Sequence, residues 1–311
     1  MNSQLRKLCK SFDSNSKRIA LLHHDIEPAE LIFRKLLTEN GFIVELFDIR
    51  KVKLKDLLNY DVIFNRVYSS VASRDYQTLS KTLKLINILE KKRILCINSY
   101  KASLADYNKY ELYKMLIKNK VYTPKTLFIN SKNKIKSISK KAVKELGFPI
   151  VVKRNCGGKS YEVTKVYTND ELINTLKKMF LLAETQGYGA GFIIQKFISS
   201  SREHDCRVAV LNNNYLYSYA RTFIIRNSKD KWMASTSGGS TEINYAARES
   251  EIEIAIRANK AISSFFSESD IIMTNQGPCV IEVNPTAGYF VDSIDDIERM
   301  KMIVQSLKNY F

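Results

Sequence analysis

The first hundred residues alternate between short apolar runs and amphipathic helical segments. The run "RIALLHH" at 18–24 reads as a buried strand, and "PAELIFRKLLTENG" at 28–41 reads as a helix with proline in its first turn. Strand-like "FIVELFDI", "DVIFNRV" and "ILCIN" follow, with a long helical stretch at 73–93 before the last of them. This alternation predicts a small parallel sheet covered by helices, an α/β unit that ends near residue 100. Because no GxGxxG follows the first strand, a dinucleotide site is not expected.

From about residue 101 the strands and helices are segregated, which indicates an α+β arrangement. Helical "NKYELYKMLIKNKV", strand-like "PKTLFIN" and a helix at 136–146 lead into "FPIVVKRNCGGKSYEVTKVYT", which reads as two strands around a glycine loop. After another helix come "FIIQKFI", a long hairpin "DCRVAVLNNNYLYSYART", the loop "STSGGSTE" and a helix at 249–266. The last predicted unit is a hairpin within "DIIMTNQGPCVIEVNPTAGYF" at 270–290.

This last hairpin carries polar side chains among apolar neighbours. Glu282 and Asn284 are two residues apart in a strand and therefore point to the same face. Asp270 joins that face if the loop has an odd number of residues, for example 276–278, which also keeps Pro278 out of the ladder. Two carboxylates and a carboxamide form the all-oxygen set that Mg²⁺ binds together with nucleotide phosphates. The alternative is that these residues lie at a sheet edge and face water.

Lys153 ends the apolar run "PIVVK" and shortly precedes Gly157 and Gly158. A glycine loop lets backbone N–H groups approach phosphates, and a nearby lysine adds a point charge. The GxxxxGK[ST] spacing is absent, so the segment is not a Walker A loop. Taken alone, the two glycines are explained at least as well by an ordinary hairpin turn.

The cysteine pattern and the hydropathy indicate the cellular compartment. The five cysteines are scattered, odd in number and without a CxxC pair, which favours reduced thiols over a disulfide framework or a zinc site. No apolar run reaches the roughly 18 residues that a membrane span needs. The first residues also lack the apolar stretch of a signal peptide. These features predict a soluble, cytoplasmic protein without a membrane partner.

The net charge of +17 is unevenly distributed. Residues 1–150 contain 30 Lys+Arg and 14 Asp+Glu, a net charge of +16, whereas residues 151–311 contain 19 and 18, a net charge of +1. One interpretation is a lysine-rich proteome. The other is a positive field over the first half that attracts an acidic partner.

Six segments, taken in order, resemble one family, the ATP-grasp ligases of the RimK-like and LysX-like group. "NKYELYKMLIKNKVYTPKTLF" is similar to their DK…L…PKTL segment, "GFPIVVKRNCGGKSYEV" to their lysine strand and glycine loop, and "FIIQKFI" to their adenine-binding hinge. "DCRVAVLNNNYLYSYART" resembles their D-x-R-V hairpin, and "SGGSTE" their G-G-S-A loop. The last hairpin is the most specific match, with Asp270, then Glu-x-Asn twelve residues on, then N-x-x-x-G. Near the start, "ALLHHDIEPAELIF" is similar to the first strand and helix of the LysX-like enzymes.

The resemblance implies an ATP-grasp fold behind a small N-terminal α/β domain, so that the expected fold class is α/β plus α+β. The implied units are a pre-ATP-grasp domain at 1–100, a lysine and glycine-loop subdomain at 101–190, and a metal-binding subdomain at 191–311. The implied cofactors are ATP and Mg²⁺, with two ions expected and Mn²⁺ as a substitute.

The resemblance also implies a role for each matching position. Asp270, Glu282 and Asn284 are expected to bind the metal, and Arg207 and Arg221 to hold an acyl phosphate or a substrate carboxylate through forked hydrogen bonds. The ATP phosphates are implied to contact Lys109, Lys153, Gly157 and Gly158. The adenine is implied to contact Gln195, Lys196, Phe197 and Ile198. The acceptor is implied to approach Gly238, Gly239 and Gly288.

Three departures from the family pattern bear on these roles. Lys196 stands where the hinge usually carries a glutamate, so an acidic contact to the nucleotide is lost. Ser237 stands where an arginine usually precedes the two glycines, which puts one charge-stabilising contact in doubt. The loop "CGGKSYEV" differs from the usual GS-x-G-x-G, so its closure over the phosphates is expected to differ.

The leading hypothesis is an ATP-dependent carboxylate–amine ligase that forms an amide or peptide bond through an acyl phosphate. The basic first half favours an acidic amino acid, peptide or carrier protein as substrate, and a homo-oligomer is expected. One alternative is a catalytically silent ATP-binding regulatory protein. Another is a basic nucleic-acid-binding protein, which the charge allows but for which no recognisable binding module is present.

Overall fold

The computed structural model of the chain describes residues 16–158, 160–225, 230–235 and 238–311. Its first sheet is parallel, with the strand order β2-β1-β3-β4. A 3₁₀ helix at Ser69–Ser73 follows β3. The strands and α-helices of this unit are β1 Arg18–His23, α1 Pro28–Glu39, β2 Ile43–Asp48, α2 Leu54–Leu57, β3 Val62–Asn65, α3 Tyr76–Lys91 and β4 Leu95–Ile97.

Strand β1 is the buried centre of the first sheet, because its alternate side chains enter two different layers. Ala20 and Leu22 belong to the hydrophobic core beneath α3, whereas Ile19 and Leu21 belong to the core beneath α1 and the C-terminal helix. Helices therefore cover both faces, and the predicted α/β unit is confirmed. The carboxyl ends of parallel strands meet at one edge of the sheet, which is where open α/β sheets usually bind ligands.

The second sheet is antiparallel, with the strand order β5-β8-β6-β7. Helices α6 and α7 cover one face, where Ile150 and Val152 of β6 are buried. The alternate residues of β6, Val151 and Lys153, point to the opposite side, into a cleft. The elements of this part are α4 Tyr100–Tyr107, α5 Lys109–Lys118, β5 Thr126–Ile129, α6 Ile135–Leu146, β6 Ile150–Arg154, β7 Thr164–Val166, α7 Asn169–Thr185 and β8 Phe192–Lys196.

The third sheet is also antiparallel and has the strand order β13-β10-β9-β14-β15. Helix α8 packs against one face of this sheet, where it contacts Val208, Val210 and Val280. The other face of the sheet is polar and closes the cleft. None of the described helices is long and apolar enough to cross a membrane. The elements are β9 His204–Leu211, β10 Asn214–Thr222, β11 Ile224–Ile225, β12 Lys231–Met233, β13 Glu242–Asn244, α8 Glu249–Ile262, β14 Phe266–Thr274, β15 Gly277–Asn284 and α9 Ile294–Tyr310.

The sequence predicts a helix at 249–266, and its predicted C-terminal end is wrong. Helix α8 ends at Ile262, because Ser263 adopts a left-handed conformation with φ of 53°, which terminates the helix. Strand β14 then begins at Phe266, four residues before the predicted start of the hairpin at Asp270. The apolar period of the helix continues past its end, so the sequence did not mark the boundary.

The turn of the last hairpin is also corrected. Thr274 pairs with Gly277, so the connection is Asn275–Gln276 and not the loop 276–278. Pro278 lies within β15 opposite Met273, and it is tolerated there because β15 is the outer strand of its sheet. A β-bulge next to Asp270 supplies the extra residue that the odd loop was expected to supply.

Candidate active site

A cleft between the second and third sheets holds most of the predicted site residues. It encloses about 980 Å³, its open mouth included. The predicted residues on its wall come from α5, the glycine loop and both sheets: Lys109, Lys153, Gly157, Gly158, Gln195, Lys196, Phe197, Ile198, Arg221, Asp270 and Glu282.

Lys153 lies on β6 with its side chain directed into the cleft and is buried. Within the part of the chain that the structure describes, its ammonium group has no hydrogen bond or ion-pair partner. Burial lowers the pKa of Lys153 to about 8, although the charges of Glu282 and Asp270 act in the opposite direction. An unpaired cation is unfavourable in a buried position, so this side chain is ready to bind an anion.

Lys109 is the first residue of α5, and its ammonium group forms an ion pair with Glu282 of β15. Its backbone N–H donates to the carbonyl of Asn155 at 2.9 Å, so the start of α5 is fixed to the loop after β6. Burial opposes the charge on Glu282, but Lys109 and Lys153 outweigh this effect and lower the pKa of its carboxyl group. Glu282 is therefore ionised at neutral pH.

Carboxylates and guanidinium groups alternate on the face of the third sheet that closes the cleft. Arg207 of β9 lies opposite Asp270 of β14, and its Nε and Nη2 donate to the two carboxylate oxygens at 2.8 and 3.0 Å. Arg221 of β10 donates to the same carboxylate at 3.0 Å and also pairs with Asp205. Both arginines thus form the forked contacts expected of them, but with carboxylates of the chain itself.

The predicted metal ligands lie together on this face. The strand register places Asp270 opposite Glu282, and Asn284 Nδ2 donates to Asp270 Oδ1 at 3.4 Å. Burial raises the pKa of Asp270, but Arg207 and Arg221 outweigh burial and hold it below its usual value. Both carboxylates are thus ionised, which is the state that binds a cation.

These residues fit the cofactors that the sequence implies. Asp270, Glu282 and Asn284 offer hard oxygen donors for Mg²⁺, and such sites usually share the ion with nucleotide phosphates. Lys153 and Lys109 are cations of the same cleft that those phosphates could contact. The expected number of ions and the substitution by Mn²⁺ stay predictions.

The predicted hinge forms the apolar end of the cleft. The Gln195 side chain donates to Thr126 Oγ1 at 2.9 Å, which fixes it to the neighbouring strand. The N–H groups of Lys196 and Phe197 already bond the carbonyls of Lys125 and Pro149, so they are not open to a base. The Phe197 ring has the Trp232 ring 6.1 Å away, which supplies an aromatic wall. Adenine would be read through the remaining polar groups of this segment and held by apolar contact.

The expected acceptor glycines are not part of the cleft lining. Gly238 is in contact with Ile224 and Ser235, Gly239 has φ of +97°, and Gly288 is exposed in the loop after β15. Ser237, where the family usually has arginine, lies outside the described residues.

The loop after β15 is held by residues of the first sheet, which the sequence analysis did not identify. Arg66 Nη1 donates to the carbonyl of Ala287 at 2.9 Å, and Asn98 Nδ2 donates to that of Pro285 at 2.7 Å. The side chain of Arg66 also pairs with the buried Glu30 at 3.3 Å. These contacts join residues about two hundred positions apart in the chain, so no local sequence pattern predicts them.

Two further carboxylates of the site were missed although the sequence contains a signal for them. Glu268 and Asp205 are buried, and each lies two residues before an identified residue, Asp270 and Arg207. Glu268 accepts hydrogen bonds from Arg207 at 3.2 Å and from the Tyr217 hydroxyl at 2.6 Å. The period of two along each strand would have placed both carboxylates on the polar face.

Comparisons with known proteins agree with this geometry. A model of the RimK-like ATP-grasp domain matches residues 106–305. A protein of Saccharophagus degradans named "Probable alpha-L-glutamate ligase" is 24% identical over 234 residues, which cover 75% of this chain and 71% of that protein. A protein of the same name from Xylella fastidiosa is 30% identical over 108 residues, 35% of each chain.

Among solved structures, the RimK domain ATP-grasp protein of Sphaerobacter thermophilus matches with a TM-score of 0.67 and 17% identity, over 93% of this chain and 98% of that one. The VanG D-Ala:D-Ser ligase of Enterococcus faecalis matches with a TM-score of 0.70 and 16% identity, over 95% and 99%. At such identities the likeness shows the fold, and it confirms the predicted ATP-grasp fold. The domain match covers more than half of the chain, which therefore belongs to the RimK-like ATP-grasp family and is a ligase of that family.

Proposed function

We propose that the protein uses ATP to activate a carboxylate as an acyl phosphate and joins it to an amine. The observation that carries this proposal is the buried Lys153, which has no hydrogen-bond or ion-pair partner among the described residues and faces the ionised Asp270 and Glu282 in one cleft. A cation for phosphate beside oxygen donors for a metal is the arrangement that phosphoryl transfer requires.

Each residue has a distinct proposed role. Lys153 and Lys109 bind the phosphates, with Gly157 and Gly158 above them, and Gln195 to Ile198 surround the adenine. Asp270, Glu282 and Asn284 hold Mg²⁺, with two ions expected and Mn²⁺ as a substitute. The bound metal supplies charge neutralisation for the transferring phosphoryl group.

The arginines and the outer glycines are proposed to act on the acceptor side. Arg207 and Arg221 stabilise negative charge on the acyl phosphate or on a substrate carboxylate, and their present bonds to Asp270 orient both guanidinium groups toward the metal site. Gly238, Gly239 and Gly288 allow close approach of the acceptor to the backbone. The first sheet, through Arg66 and Asn98, fixes the loop that carries Gly288.

The proposed substrate is an acidic amino acid, peptide or carrier protein. Relatives named as α-L-glutamate ligases support glutamate as one substrate, and the net charge of +16 over residues 1–150 supports an acidic acceptor. We further propose a cytoplasmic homo-oligomer with domains at 1–100, 101–190 and 191–311.

The first experiment measures thermal stability with ATP and Mg²⁺ together and with each alone, followed by ADP release with glutamate and glutamate-rich peptides. A ligand at about 100 times its Kd stabilises the folded state by roughly 2.7 kcal/mol, so a joint effect of ATP and Mg²⁺ is readily visible. Glu282→Gln is expected to keep the fold but to lose this joint effect and ADP release. Exposed Glu298→Gln is the matched control, since Glu298 lies on α9 outside the cleft lining and pairs with Lys301.

Three outcomes separate the proposal from its alternatives. ADP release that depends on a carboxylate and an amine supports the ligase. A joint ATP and Mg²⁺ effect without ADP release for any substrate supports the silent ATP-binding protein. Full activity of Glu282→Gln would contradict the assignment of the metal site.

A further inference from the structure

The loop that covers the phosphate side of the cleft begins and ends with two oppositely charged residues. It connects β6, which ends at Arg154, to β7, which begins at Thr164, and Glu162 lies near its far end. Lys159 within this loop is outside the described residues. Arg154 Nε donates to Glu162 Oε2 at 2.7 Å, and Nη2 donates to Oε1 at 3.1 Å. The two ends of the loop are thus joined by a two-point ion pair.

This ion pair is buried, so solvent screens it little. The Arg154 side chain is 2% exposed and that of Glu162 12% exposed. The guanidinium group also lies between two aromatic rings, 4.3 Å from the centroid of Tyr188 and 4.9 Å from that of Tyr161. Its Nη2 donates in addition to Gln186. A planar guanidinium held on both faces and along its edge has one orientation only.

A second set of bonds fixes the near end of the loop to the segment before β8. The backbone N–H of Cys156 donates to the Tyr188 hydroxyl at 2.8 Å, and this hydroxyl donates to the carbonyl of Gly191 at 3.1 Å. On the other side, Gly158 lies against the 3₁₀ helix of the first unit, where an added Cβ would be 3.4 Å from Ser70 Cβ. The loop is therefore held by contacts of the protein with the segment before β8 and with the 3₁₀ helix.

The backbone of the loop has left-handed residues that are not glycine. Ser160 has φ of 55° and Glu162 has φ of 52°, a region that non-glycine residues adopt at a cost. Counted from Gly157, the spacing GS-x-G-x-G places its last two glycines on Ser160 and Glu162. The chain thus keeps a backbone shape suited to glycine while it gains, at Glu162, a side chain that bonds Arg154.

We infer that the Arg154–Glu162 pair is a positioning device that holds the phosphate loop in a defined shape before ATP binds. The inference rests on the proposed function, because it concerns the loop over the proposed phosphate site. A loop of glycines must be ordered when the nucleotide binds, and that lost conformational freedom weakens binding. In this chain the ion pair and the two tyrosine rings order the loop during folding. Glu162 acts through the loop backbone, and Arg154, which lines the cleft but is almost wholly buried, acts through its bonds to the loop.

The test is the double variant Arg154→Leu/Glu162→Gly, which removes both charges together and leaves no single buried charge. The first readout is the rate at which trypsin cuts after Lys159, with the cut site identified by mass spectrometry. The second is the Kd for ATP in the presence of Mg²⁺, measured by calorimetry. Lys132→Ala/Glu184→Ala is the matched control, since it removes an exposed ion pair between neighbouring elements.

We expect the double variant to be cut after Lys159 at least about tenfold faster than the wild type, while other sites are cut at unchanged rates. We expect its Kd for ATP to rise about tenfold, which corresponds to about 1.4 kcal/mol. The control pair is expected to change neither value. Unchanged cutting after Lys159, or equally faster cutting at all sites, would overturn the inference.

The failure of the proposed function is distinguishable from the failure of this inference. If the wild type binds no ATP, the proposed function fails, and the rate of cutting after Lys159 alone decides whether the pair orders the loop. If the wild type binds ATP and the double variant binds it equally well, the positioning role is wrong while the proposed function stands.

Discussion

Lys153 and Lys109 lie on the same cleft wall, but their ammonium groups have different surroundings. Burial disfavours the charge of both. For Lys109 the ion pair with Glu282 outweighs burial, and its pKa is raised. Lys153 has no such partner in the described part of the chain, and its pKa falls to about 8. The residue with the lowered pKa is the one that gains most from an anion, so ATP binding and protonation of Lys153 are linked.

This linkage predicts how ATP binding depends on pH. Below pH 8 Lys153 is already protonated in the free protein, so affinity is insensitive to its titration. Above pH 8 the free protein has lost this proton and must take it up again when phosphates bind. ATP affinity is therefore expected to fall as pH rises, by up to about tenfold per pH unit. Calorimetry at pH 9 in buffers of different ionisation enthalpy should show uptake of close to one proton.

The matched variant for this prediction is Lys153→Arg, which keeps the charge but does not titrate near pH 9. It is expected to bind ATP without proton uptake. Wild-type binding at pH 9 without proton uptake would show that Lys153 does not contact the phosphates or is not neutral in the free protein.

Residue-scale prediction from the sequence succeeded where the signal is a period of two. This period placed Glu282 and Asn284 on one face, whereas Asp270 was placed there through an odd-numbered loop; the structure puts Asp270 opposite Glu282 through a bulge instead. The same period would have placed Glu268 and Asp205 with them. No such period leads to Arg66, because its contact with Ala287 depends on how distant elements pack. The roles assigned to these residues stay predictions.

At the scale of elements, the start of α5 shows how local structure fixes a site residue. Asn108 is the N-cap, with its side chain accepting from the N–H of Glu111 at 3.0 Å, and Lys109 is the next residue. Asn155 binds the same helix end, since its Oδ1 accepts from the N–H of Tyr110 at 2.9 Å. The direction of Lys109 therefore depends on a well-formed first turn.

Asn108→Ala should weaken both the helix and the site. Loss of an N-cap side chain costs roughly 1 kcal/mol of the free energy of unfolding, with a range of about 0.5–2. Urea denaturation measures this cost, and calorimetry measures the expected few-fold rise in the Kd for ATP. Asn108→Ser, which can cap the helix, is expected to restore most of both values. A change in stability with no change in Kd would show that Lys109 does not depend on the helix start.

Element-scale errors in the sequence analysis have physical causes. The bulge beside Asp270 depends on how β14 and β15 pair, so the sequence of either strand alone does not predict it. Pro278 was assigned to a loop because proline lacks a ladder donor, but an outer strand does not need that donor. Helix α8 ends at Ile262 because Ser263 is left-handed, a conformation that serine rarely adopts, so the sequence did not predict this end.

At the scale of the whole molecule, the strands of the three larger sheets fall in the ranges 18–97, 126–196 and 204–284, and β11 and β12 form a separate two-stranded sheet within the last range. The first sheet ends before the proposed boundary near residue 100, whereas the second sheet extends past the one near residue 190 through β8. Both boundaries stay predictions. The alternation of strands and helices in the first hundred residues, and their segregation in the rest, could be predicted from the sequence because both depend on local periodicity. The packing of the first sheet against the loop after β15 was not, since Arg66 and Asn98 are far from that loop in sequence.

The uneven charge is the remaining whole-molecule feature, and it leads to the last prediction. If the positive field of residues 1–150 attracts an acidic substrate, a glutamate-rich peptide should bind more weakly as salt rises. Exposed charges are screened beyond roughly 10 Å at 0.1 M salt and beyond about 3 Å at 1 M. A rise from about 20 to 500 mM NaCl is therefore expected to raise the Kd of the peptide about tenfold.

Fluorescence anisotropy of a labelled peptide measures this dependence, and a peptide of equal length with glutamine in place of glutamate is the matched control. The glutamine peptide should show little dependence on salt, since it carries no charge for the field to attract. Single-stranded DNA of similar charge separates a general attraction from a built site. Equal salt dependence and equal affinity for DNA would favour the nucleic-acid alternative, because a field alone does not distinguish phosphates from carboxylates. Tight binding of the glutamate peptide that does not change with salt would show that contacts within the cleft, and not the field, select the substrate.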